Sequence, residues 1–314
     1  MQEKLVIALG GNALQSKDSD GSAESQLEVV RRTCAYLAEM SCRGYEMAVV
    51  HGNGPQVGRI LLAGETARMV VPPMPFDVCG AMSQGYIGYH IQQCLRYALA
   101  ARGRKIPVVS LTTQVVVDGD DKAFSDPTKP IGPFYKPEEA EQLRQEKNWS
   151  FREEKGKGWR RVVASPQPRR IVEIGAVKLL WPHAIVITCG GGGVPVVEQE
   201  DGTLVGAAAV IDKDLSAELL AEEVGADKLV ILTEVEKAAI RFGTPQQQDL
   251  DHLSLAQAAE YAAAGHFGVG SMLPKVLAAM RFVRHDPEKE AIITSLDKCI
   301  EALEGKTGTH ITFA

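Results

Sequence analysis

A lysine at the beginning of a predicted helix is the first residue of this sequence with a chemical implication. Lys275 follows Pro274 and opens a helical pattern over 276–283, for which Ser271 is the predicted cap. The helix dipole disfavours a cation at this end unless an anion binds there. The placement of Lys275 therefore points to a phosphate group.

A second lysine lies between two carboxylates. Lys213 stands between Asp212 and Asp214, immediately before a helical pattern over 216–223. Aspartates also favour the first turn of an ordinary surface helix, so this segment alone leaves that alternative open. Near a phosphate-binding cleft, however, Lys213 would be a cation held in position by its neighbours.

Three glycine-rich loops each follow a short apolar run that reads as a buried strand. Glycine after such a strand lets the backbone approach a ligand and direct N–H groups at an anion. Ordinary turns, or a hinge at the four-glycine run 190–193, are the alternatives for each loop alone, and none matches a P-loop or dinucleotide fingerprint. Together they predict a phosphate-handling cleft with these candidates: Gly10, Gly11, Asn12, Gly52, Asn53, Gly54, Gly191 and Gly192.

The sequence contains no obvious general base. His51 precedes one glycine loop and could act as a base or be a structural histidine, and the other histidines have no metal-ligand spacing. An acceptor that is already ionised, such as a carboxylate or carbamate, needs no proton removed before it attacks phosphorus. Lysines, backbone N–H groups and a Mg²⁺ carried by the nucleotide suffice for such a transfer.

The elements that would position these residues alternate between strand and helix. Strands are predicted at 5–9, 46–50, 108–111, 184–188 and 229–232, and the first helix near 26–43. Strands that are apolar on both faces and separated by helices predict a mostly parallel sheet covered on both sides. The stretch 117–168, rich in charged residues, Gly and Pro, interrupts this pattern as a protruding flap or a flexible linker.

Composition limits the partners. The chain has 314 residues, a formal net charge of −6 and a pI near 5.7, which argues against nucleic acid or an anionic membrane surface as a partner. Six scattered cysteines without C-x-x-C pairs read as reduced thiols, and the apolar run at 5–9 is too short for a signal peptide. We expect a cytoplasmic protein.

These segments together resemble the amino acid kinase superfamily, and nearly the whole chain is similar to its carbamate kinase branch. Six segments carry the resemblance, in the family's order: 8–13, 51–58, 128–134, 189–193, 210–214 and 270–275. The resemblance implies one three-layer α/β/α domain over 1–314 with a small protruding lid subdomain. It assigns carbamate or carbamoyl phosphate to an N-lobe (about 1–180, with the lid at about 117–168) and nucleotide to a C-lobe (about 181–314).

The resemblance also implies residue roles. Many superfamily members have a lysine two residues before the first Gly-Gly; Ala8 stands there, so Lys129 of the lid is expected to supply that charge. Lys213 and Lys275 would stabilise the transferring phosphoryl group and Asp214 would orient them, with Asp212 a weaker candidate. The implied nucleotide-binding residues are Lys213, Thr233, Glu234, Met272 and Lys275.

The expected activity is reversible transfer between ATP and carbamate, run toward ATP when carbamoyl phosphate comes from catabolism. Mg²⁺ with ATP or ADP is the expected cofactor and a homodimer the expected assembly. Ala239 and Arg241 depart from the carbamate kinase pattern beside the nucleotide. They leave open a catalytically weak paralogue that binds nucleotide or carbamoyl phosphate, and a kinase for another small carboxylate is a further alternative.

Overall fold

The computed structural model describes residues 3–16, 19–284 and 286–314, in which strands and helices alternate. The strands are β1 Lys4–Leu9, β2 Glu46–His51, β3 Val108–Ser110, β4 Gln114–Val117, β5 Lys129–Tyr135, β6 Ser150–Glu154, β7 Gly158–Val163, β8 Pro168–Ile171, β9 Ile185–Ile187, β10 Val194–Glu198, β11 Leu204–Gly206, β12 Lys228–Thr233, β13 Ala239–Ile240, β14 Gln248–Asp249, β15 His252–Ser254, β16 Glu290–Ser295 and β17 Thr309–Thr312.

The α-helices lie between these strands. They are α1 Ala23–Cys42, α2 Gly54–Thr66, α3 Phe76–Ala100, α4 Lys122–Ser125, α5 Pro137–Lys147, α6 Ile174–Leu180, α7 Lys213–Val224, α8 Leu255–Ala263, α9 Leu273–Val283 and α10 Cys299–Leu303. None of the helices in the described ranges is long and apolar enough to cross a membrane.

An eight-stranded sheet forms the centre of the molecule, in the order β15-β17-β16-β12-β1-β2-β9-β3. All neighbouring pairs are parallel except β16 and β17. Leu9 at the end of β1 pairs with His51 of β2 and with Leu232 of β12. The loops that follow these three strands therefore meet at one edge of the sheet, where open α/β folds bind ligands.

The alternation of side chains along β1 explains the three layers. Leu5, Ile7 and Leu9 pack into one core with α1, α3 and α10, whereas Val6 and Ala8 pack into the other with α6, α7, α8 and α9. Burial on both faces gives β1 its unbroken apolar sequence. The predicted α/β/α sandwich with a mostly parallel sheet is confirmed.

A second, four-stranded sheet in the order β11-β10-β4-β8 carries the lid. Val117 of β4 pairs with Pro168 of β8, so the chain leaves and re-enters this sheet at adjacent points. Residues 118–167 between them, here called the lid, contain the sheet β5-β7-β6 and helices α4 and α5. The flap interpretation of this stretch is thus correct, and the flexible-linker alternative is wrong.

The lid contacts the rest of the chain through paired cations and aromatic rings. Arg161 of β7 lies between the Trp149 ring of the lid, with its Cζ 3.7 Å from the ring centroid, and the Phe76 ring of α3, at 5.6 Å. Burial lowers the pKa of Arg161 to about 10, which leaves it charged at neutral pH. Lys147 of the lid also forms an ion pair with Glu65 of α2. These contacts set the position of β5, which carries Lys129.

The three helices predicted from the sequence all begin earlier than expected, α1 at Ala23 rather than near residue 26. Helix α7 begins at Lys213 because the Asp212 carboxylate accepts a hydrogen bond from the Asp214 N–H at 3.0 Å, which extends the helix backwards from residue 216. Helix α9 begins at Leu273 with Met272 at the N-cap, so the prediction of a Ser271 cap is wrong. The Ser271 hydroxyl instead contacts the Gly268 carbonyl at 3.4 Å.

An ion pair at the amino end of the central sheet predicts a pH-dependent stability. The hydrogen bond from His310 lowers the pKa of Glu290 to about 2, and the same contact raises the pKa of His310. The contribution of Glu290 to the free energy of unfolding is complete above its ordinary pKa of 4.5, and it is lost as the pH falls toward 2. The His310 contribution is complete below its ordinary pKa of 6.5 and is lost as the pH rises through the raised value.

Glu290→Gln is therefore expected to reduce the free energy of unfolding by about 1–3 kcal/mol. The effect should be largest between pH 4.5 and pH 6.5, where both groups contribute fully. Urea unfolding at intervals from pH 3 to pH 9 measures this difference. Glu288→Gln, at an exposed position on the same segment, is the matched control. A Glu290→Gln loss that does not vary with pH would contradict the prediction.

Candidate active site

A cavity of about 660 Å³ opens at the carboxyl edge of the sheet. The loops after β1 and β12 and the start of α9 surround it. All five residues predicted to bind nucleotide line it: Lys213, Thr233, Glu234, Met272 and Lys275. The same cavity is lined by Gly10, Gly11 and Asn12. The structure therefore brings the predicted nucleotide-binding residues together with the glycine loop that follows β1.

One carboxylate joins the two helix-start lysines. The Lys213 Nζ lies 2.5 Å from Asp214 Oδ1, and the Lys275 Nζ lies 3.1 Å from Asp214 Oδ2. The Asp214 side chain is 3% exposed, and those of the lysines are 14% and 15% exposed. Each oxygen of one buried carboxylate thus fixes one ammonium group at the cavity wall.

The triad of Lys213, Asp214 and Lys275 contains two cations and one anion, and burial affects the pKa values of Asp214 and Lys213. Burial favours the neutral form of Asp214, but the two neighbouring lysines outweigh it and lower the pKa of the carboxyl. Burial also lowers the pKa of Lys213, against the attraction of Asp214. Two ammonium groups share a single carboxylate, so a positive charge faces the cavity. This arrangement suits a phosphate ligand.

The predicted lid lysine lies outside this triad but close to the helix that carries it. The Lys129 Nζ is 3.1 Å from Asp212 Oδ2, while Asp212 Oδ1 caps α7. Lys129 is therefore beside the first turn of α7, although it does not line the large cavity. Asp212 connects the lid to the helix that begins with Lys213.

The loop after β1 turns toward the cavity. The Asn12 side-chain amide donates to the Thr233 carbonyl at 3.1 Å, and the Gly10 N–H donates to the Leu232 carbonyl at 3.0 Å. These bonds join the loop to the end of β12. Gly11 is exposed with open space beside it, so its backbone faces the cavity without a competing side chain.

The loop after β2 leads into α2, beside the triad. A Cβ built on Gly52 would lie 3.6 Å from the Lys213 Cδ, so this loop runs directly past that lysine. The Asn53 side chain is buried and donates to the Ser83 hydroxyl at 2.8 Å. Gly54 is exposed as the first residue of α2, and Pro55 reaches the large cavity.

The four-glycine run 190–193 is enclosed by neighbouring residues. Gly191 and Gly192 are buried and do not line the cavity. At Gly192, where φ is +93°, a Cβ would lie 2.3 Å from the Ile211 carbonyl oxygen; at Gly191 it would lie 2.1 Å from the Asn53 Nδ2. Close packing against Asn53 and Ile211 is enough to require glycine at both positions, and contact of this run with a ligand stays a prediction.

His51 has the properties of a structural histidine. Its side chain is enclosed, and Nδ1 lies 2.8 Å from the Gly52 carbonyl oxygen. Burial lowers its pKa to about 4, so the ring is neutral at neutral pH. The Nε2 side of the ring faces Gly190, and a Cβ built on Gly190 would lie only 2.4 Å from His51 Nε2. A role as the general base has no geometric support.

Several cavity residues were missed by sequence reasoning. Val235, Lys237, Phe242, His266 and Phe267 line it, from the segments after β12 and before α9. An unusual sequence at 233–243 was the available signal, but the pattern does not say which side chains turn inward. Of the two departures noted there, the buried Ala239 lines the cavity, whereas the exposed Arg241 does not.

Comparison with known proteins agrees with this geometry. Residues 3–295 match the amino acid kinase family. The chain is 51% identical to the carbamate kinase of Pyrococcus horikoshii, over 99% of this chain and 100% of that protein. It is 50% identical to the carbamate kinase-like protein YqeA of Escherichia coli, over 99% of both chains.

A solved structure extends the likeness to the fold. The carbamate kinase from Giardia lamblia bound to AMP-PNP superposes with a TM-score of 0.94 at 41% identity, over 99% of this chain and 98% of that chain. The sheet order, the lid and the lysine–aspartate triad described above are thus found in a chain that matches such proteins from end to end. The chain therefore belongs to the amino acid kinase family, within the group of carbamate kinases and carbamate kinase-like proteins.

Proposed function

We propose that this protein is a carbamate kinase, which transfers a phosphoryl group reversibly between ATP and carbamate. The observation that carries the proposal is the Asp214 carboxylate, which fixes the Lys213 and Lys275 ammonium groups at the wall of a nucleotide-sized cavity. Kinase chemistry of this type depends on positioning and on neutralising the charge of the transferred group.

The proposed transfer needs no proton movement. A carbamate oxygen attacks the γ-phosphorus, and the bond from that phosphorus to the bridging oxygen breaks as its electron pair passes to ADP. Negative charge grows on the bridging oxygen, and Lys213 and Lys275 stabilise it. The Gly11 backbone N–H would hold another phosphoryl oxygen, with Asn12, Asn53 and Gly54 at the acceptor side. Gly10 and Gly52, whose N–H groups donate to the Leu232 and Leu9 carbonyls, would instead let their loops pass close to the transferred group.

We assign the two substrates to different halves of the chain. The cavity between the loop after β12 and the start of α9 would hold the nucleotide, with Thr233, Glu234 and Met272 among its walls. The loops after β1 and β2 and the lid would hold carbamate or carbamoyl phosphate, with Lys129 as the lid cation. Gly191 and Gly192 would then support Asn53.

We also propose a cofactor, an oligomeric state, a cellular compartment and a net direction of the reaction for this protein. Mg²⁺ would enter with the nucleotide, held by phosphate oxygens and water, as this ion commonly is in kinases. The family resemblance favours a homodimer, and the six free cysteines suit a reducing cytoplasm. ATP formation from carbamoyl phosphate released in nitrogen catabolism, such as that of arginine, is the proposed net direction.

A coupled assay tests the reaction directly. Purified protein with ADP, Mg²⁺ and carbamoyl phosphate is expected to form ATP, whereas acetyl phosphate and N-acetylglutamyl phosphate should support much less. Absence of ATP formation despite measurable ADP binding would favour the alternative of a nucleotide-binding paralogue, motivated by Ala239 in the cavity wall. Faster turnover of another acyl phosphate would favour a kinase for another small carboxylate.

The lid lysine gives a separate prediction. Lys129→Met is expected to raise the KM for carbamoyl phosphate and lower kcat, together reducing kcat/KM about 10- to 100-fold. The KM for ADP should change little, since Lys129 does not line the large cavity. Lys122→Met, at an exposed position of the same lid, should behave as wild type. Equal effects of the two substitutions would remove Lys129 from the site.

A further inference from the structure

A buried hydroxyl outside the cavity holds one of its walls in place. Thr309 lies on β17, is fully buried, and is not among the residues that line the cavity. We propose that Thr309 is a positioning residue for the nucleotide, and that it acts through the hairpin formed by β13 and β14. That this hairpin borders a bound nucleotide rests on the proposed function.

The Thr309 hydroxyl links Ala238 and Leu250, whose backbones form only one direct hydrogen bond with each other. The Leu250 N–H donates directly to the Ala238 carbonyl at 2.9 Å. In the opposite direction the Ala238 N–H donates to Thr309 Oγ1 at 2.8 Å, and this hydroxyl donates to the Leu250 carbonyl at 2.5 Å. Thr309 is therefore inserted between two facing residues and relays the second bond.

The hairpin needs such support because its own pairing is short. Ala239 pairs with Asp249 and Ile240 with Gln248, and the turn that follows is exposed. Two-stranded hairpins of this size are marginal in water without further packing. Ala239 of its first arm lines the cavity wall, as do Lys237 just before that arm and Phe242 in the turn after it. A change in the angle of the hairpin would therefore alter the cavity directly.

Thr309 itself is fixed to the centre of the molecule. It pairs with Ile293 of β16, an inner strand of the central sheet. The relay thus connects a short peripheral hairpin to the rigid sheet through one side chain. The spacing of 71 residues between Ala238 and Thr309 explains why no local sequence pattern reveals this contact.

A matched pair of substitutions separates positioning from general stability. Thr309→Val keeps the shape of the side chain and leaves the Ala238 N–H and the Leu250 carbonyl without the relay. Thr294→Val makes the same change on β16, where the Thr294 hydroxyl is buried and has no hydrogen-bond partner among the described residues. Thr309→Ser restores the hydroxyl and is the conservative rescue.

Binding of ADP, measured by calorimetry without an acceptor, is the primary readout. Thr309→Val is expected to weaken it about tenfold, the size of effect produced when a buried hydrogen bond is lost. Thr294→Val and Thr309→Ser should stay within about twofold of wild type. In the coupled assay the KM for ADP should rise in Thr309→Val while the KM for carbamoyl phosphate remains unchanged.

The outcomes separate this inference from the proposed function. Equal ADP affinity in Thr309→Val and Thr294→Val, or equal increases in both KM values, would overturn the positioning role while leaving the kinase activity intact. Weaker ADP binding in Thr309→Val, with no ATP formed by wild type, would support the positioning role and reject only the reaction. Wild type that does not bind ADP would overturn both.

Hydrogen exchange on the wild-type protein covers the case in which Thr309→Val fails to fold. The Ala238 amide is expected to exchange slowly, because its partner hydroxyl is buried, and to slow further when ADP is present. Exchange as fast as that of the exposed turn at 241–247 would overturn the relay.

Discussion

Replacing Lys275 with alanine is expected to lower kcat for ATP formation about 100- to 1000-fold, the largest loss of any single substitution considered for this protein. Lys275 stands in the first turn of α9 with its Nζ on Asp214, at the cavity wall. The α9 dipole and this ammonium group act on the same anion. Removal of the charge therefore costs most in the transition state, where the bridging oxygen becomes negative.

The kinetic pattern distinguishes this role from simple binding. A larger fall in kcat than rise in the KM for ADP would show that Lys275 acts mainly in the transition state. Lys275→Arg keeps the charge but spreads it over a planar group, so we expect only partial recovery. Lys178→Ala, at an exposed position on α6, is the control. Retention of more than half of the wild-type kcat by Lys275→Ala would exclude the proposed mechanism.

Replacing Asp214 with asparagine is expected to affect both stability and activity. Asparagine preserves the shape but removes the only negative charge of the triad, which neutralises two partly buried ammonium groups. Breaking a buried ion pair by removing one partner typically costs about 3–5 kcal/mol. We expect a corresponding loss in the free energy of unfolding, and a fall in kcat of at least 10-fold because both lysines lose their fixed positions.

The pH dependence of Asp214→Asn follows from the electrostatics. Burial already lowers the pKa of Lys213, and Asp214 opposes that shift. Without the carboxylate the pKa falls further, so the ammonium form needed for phosphate binding is lost at lower pH. The alkaline limb of the kcat profile should therefore move to lower pH than in wild type.

Urea unfolding and pH–rate profiles of wild type and Asp214→Asn measure both effects. Bound ADP should recover part of the lost stability, since its phosphates compensate the same two cations. Asp227→Asn, at an exposed position at the opposite end of the sheet, is the control for carboxylate loss. An unchanged alkaline limb together with wild-type stability would show that Asp214 does not control the charge of the lysines.

Local physical rules were sufficient for much of the site. The apolar sequence of β1 and the glycines after it indicate a buried parallel strand followed by a ligand loop, because both signals lie within a few residues. The lysine at the start of α9 indicates an anion for the same local reason, the helix dipole. The fold class could therefore be predicted from the sequence, as could the carboxyl edge as the candidate site and Lys213 and Lys275 as its candidate cations.

Contacts between distant residues depended on the tertiary structure. Asp214 reaches Lys275 across 61 positions, and Lys129 reaches Asp212 across 83, distances at which a single sequence carries no pairing information. The glycines at 191 and 192 look like a ligand loop in sequence, yet Asn53 and Ile211 fill the adjacent space.

The lysine at the start of α9 thus has a dual explanation. Its position on the helix, and with it the preference for an anion, was determined by the sequence alone. Its carboxylate partner, shared with Lys213, and the contact of the Thr309 hydroxyl with the ends of the β13–β14 hairpin were decided only by folding. The reason is that a helix dipole acts within one turn of chain, whereas the triad and the relay exist only after the sheet has brought separate segments together.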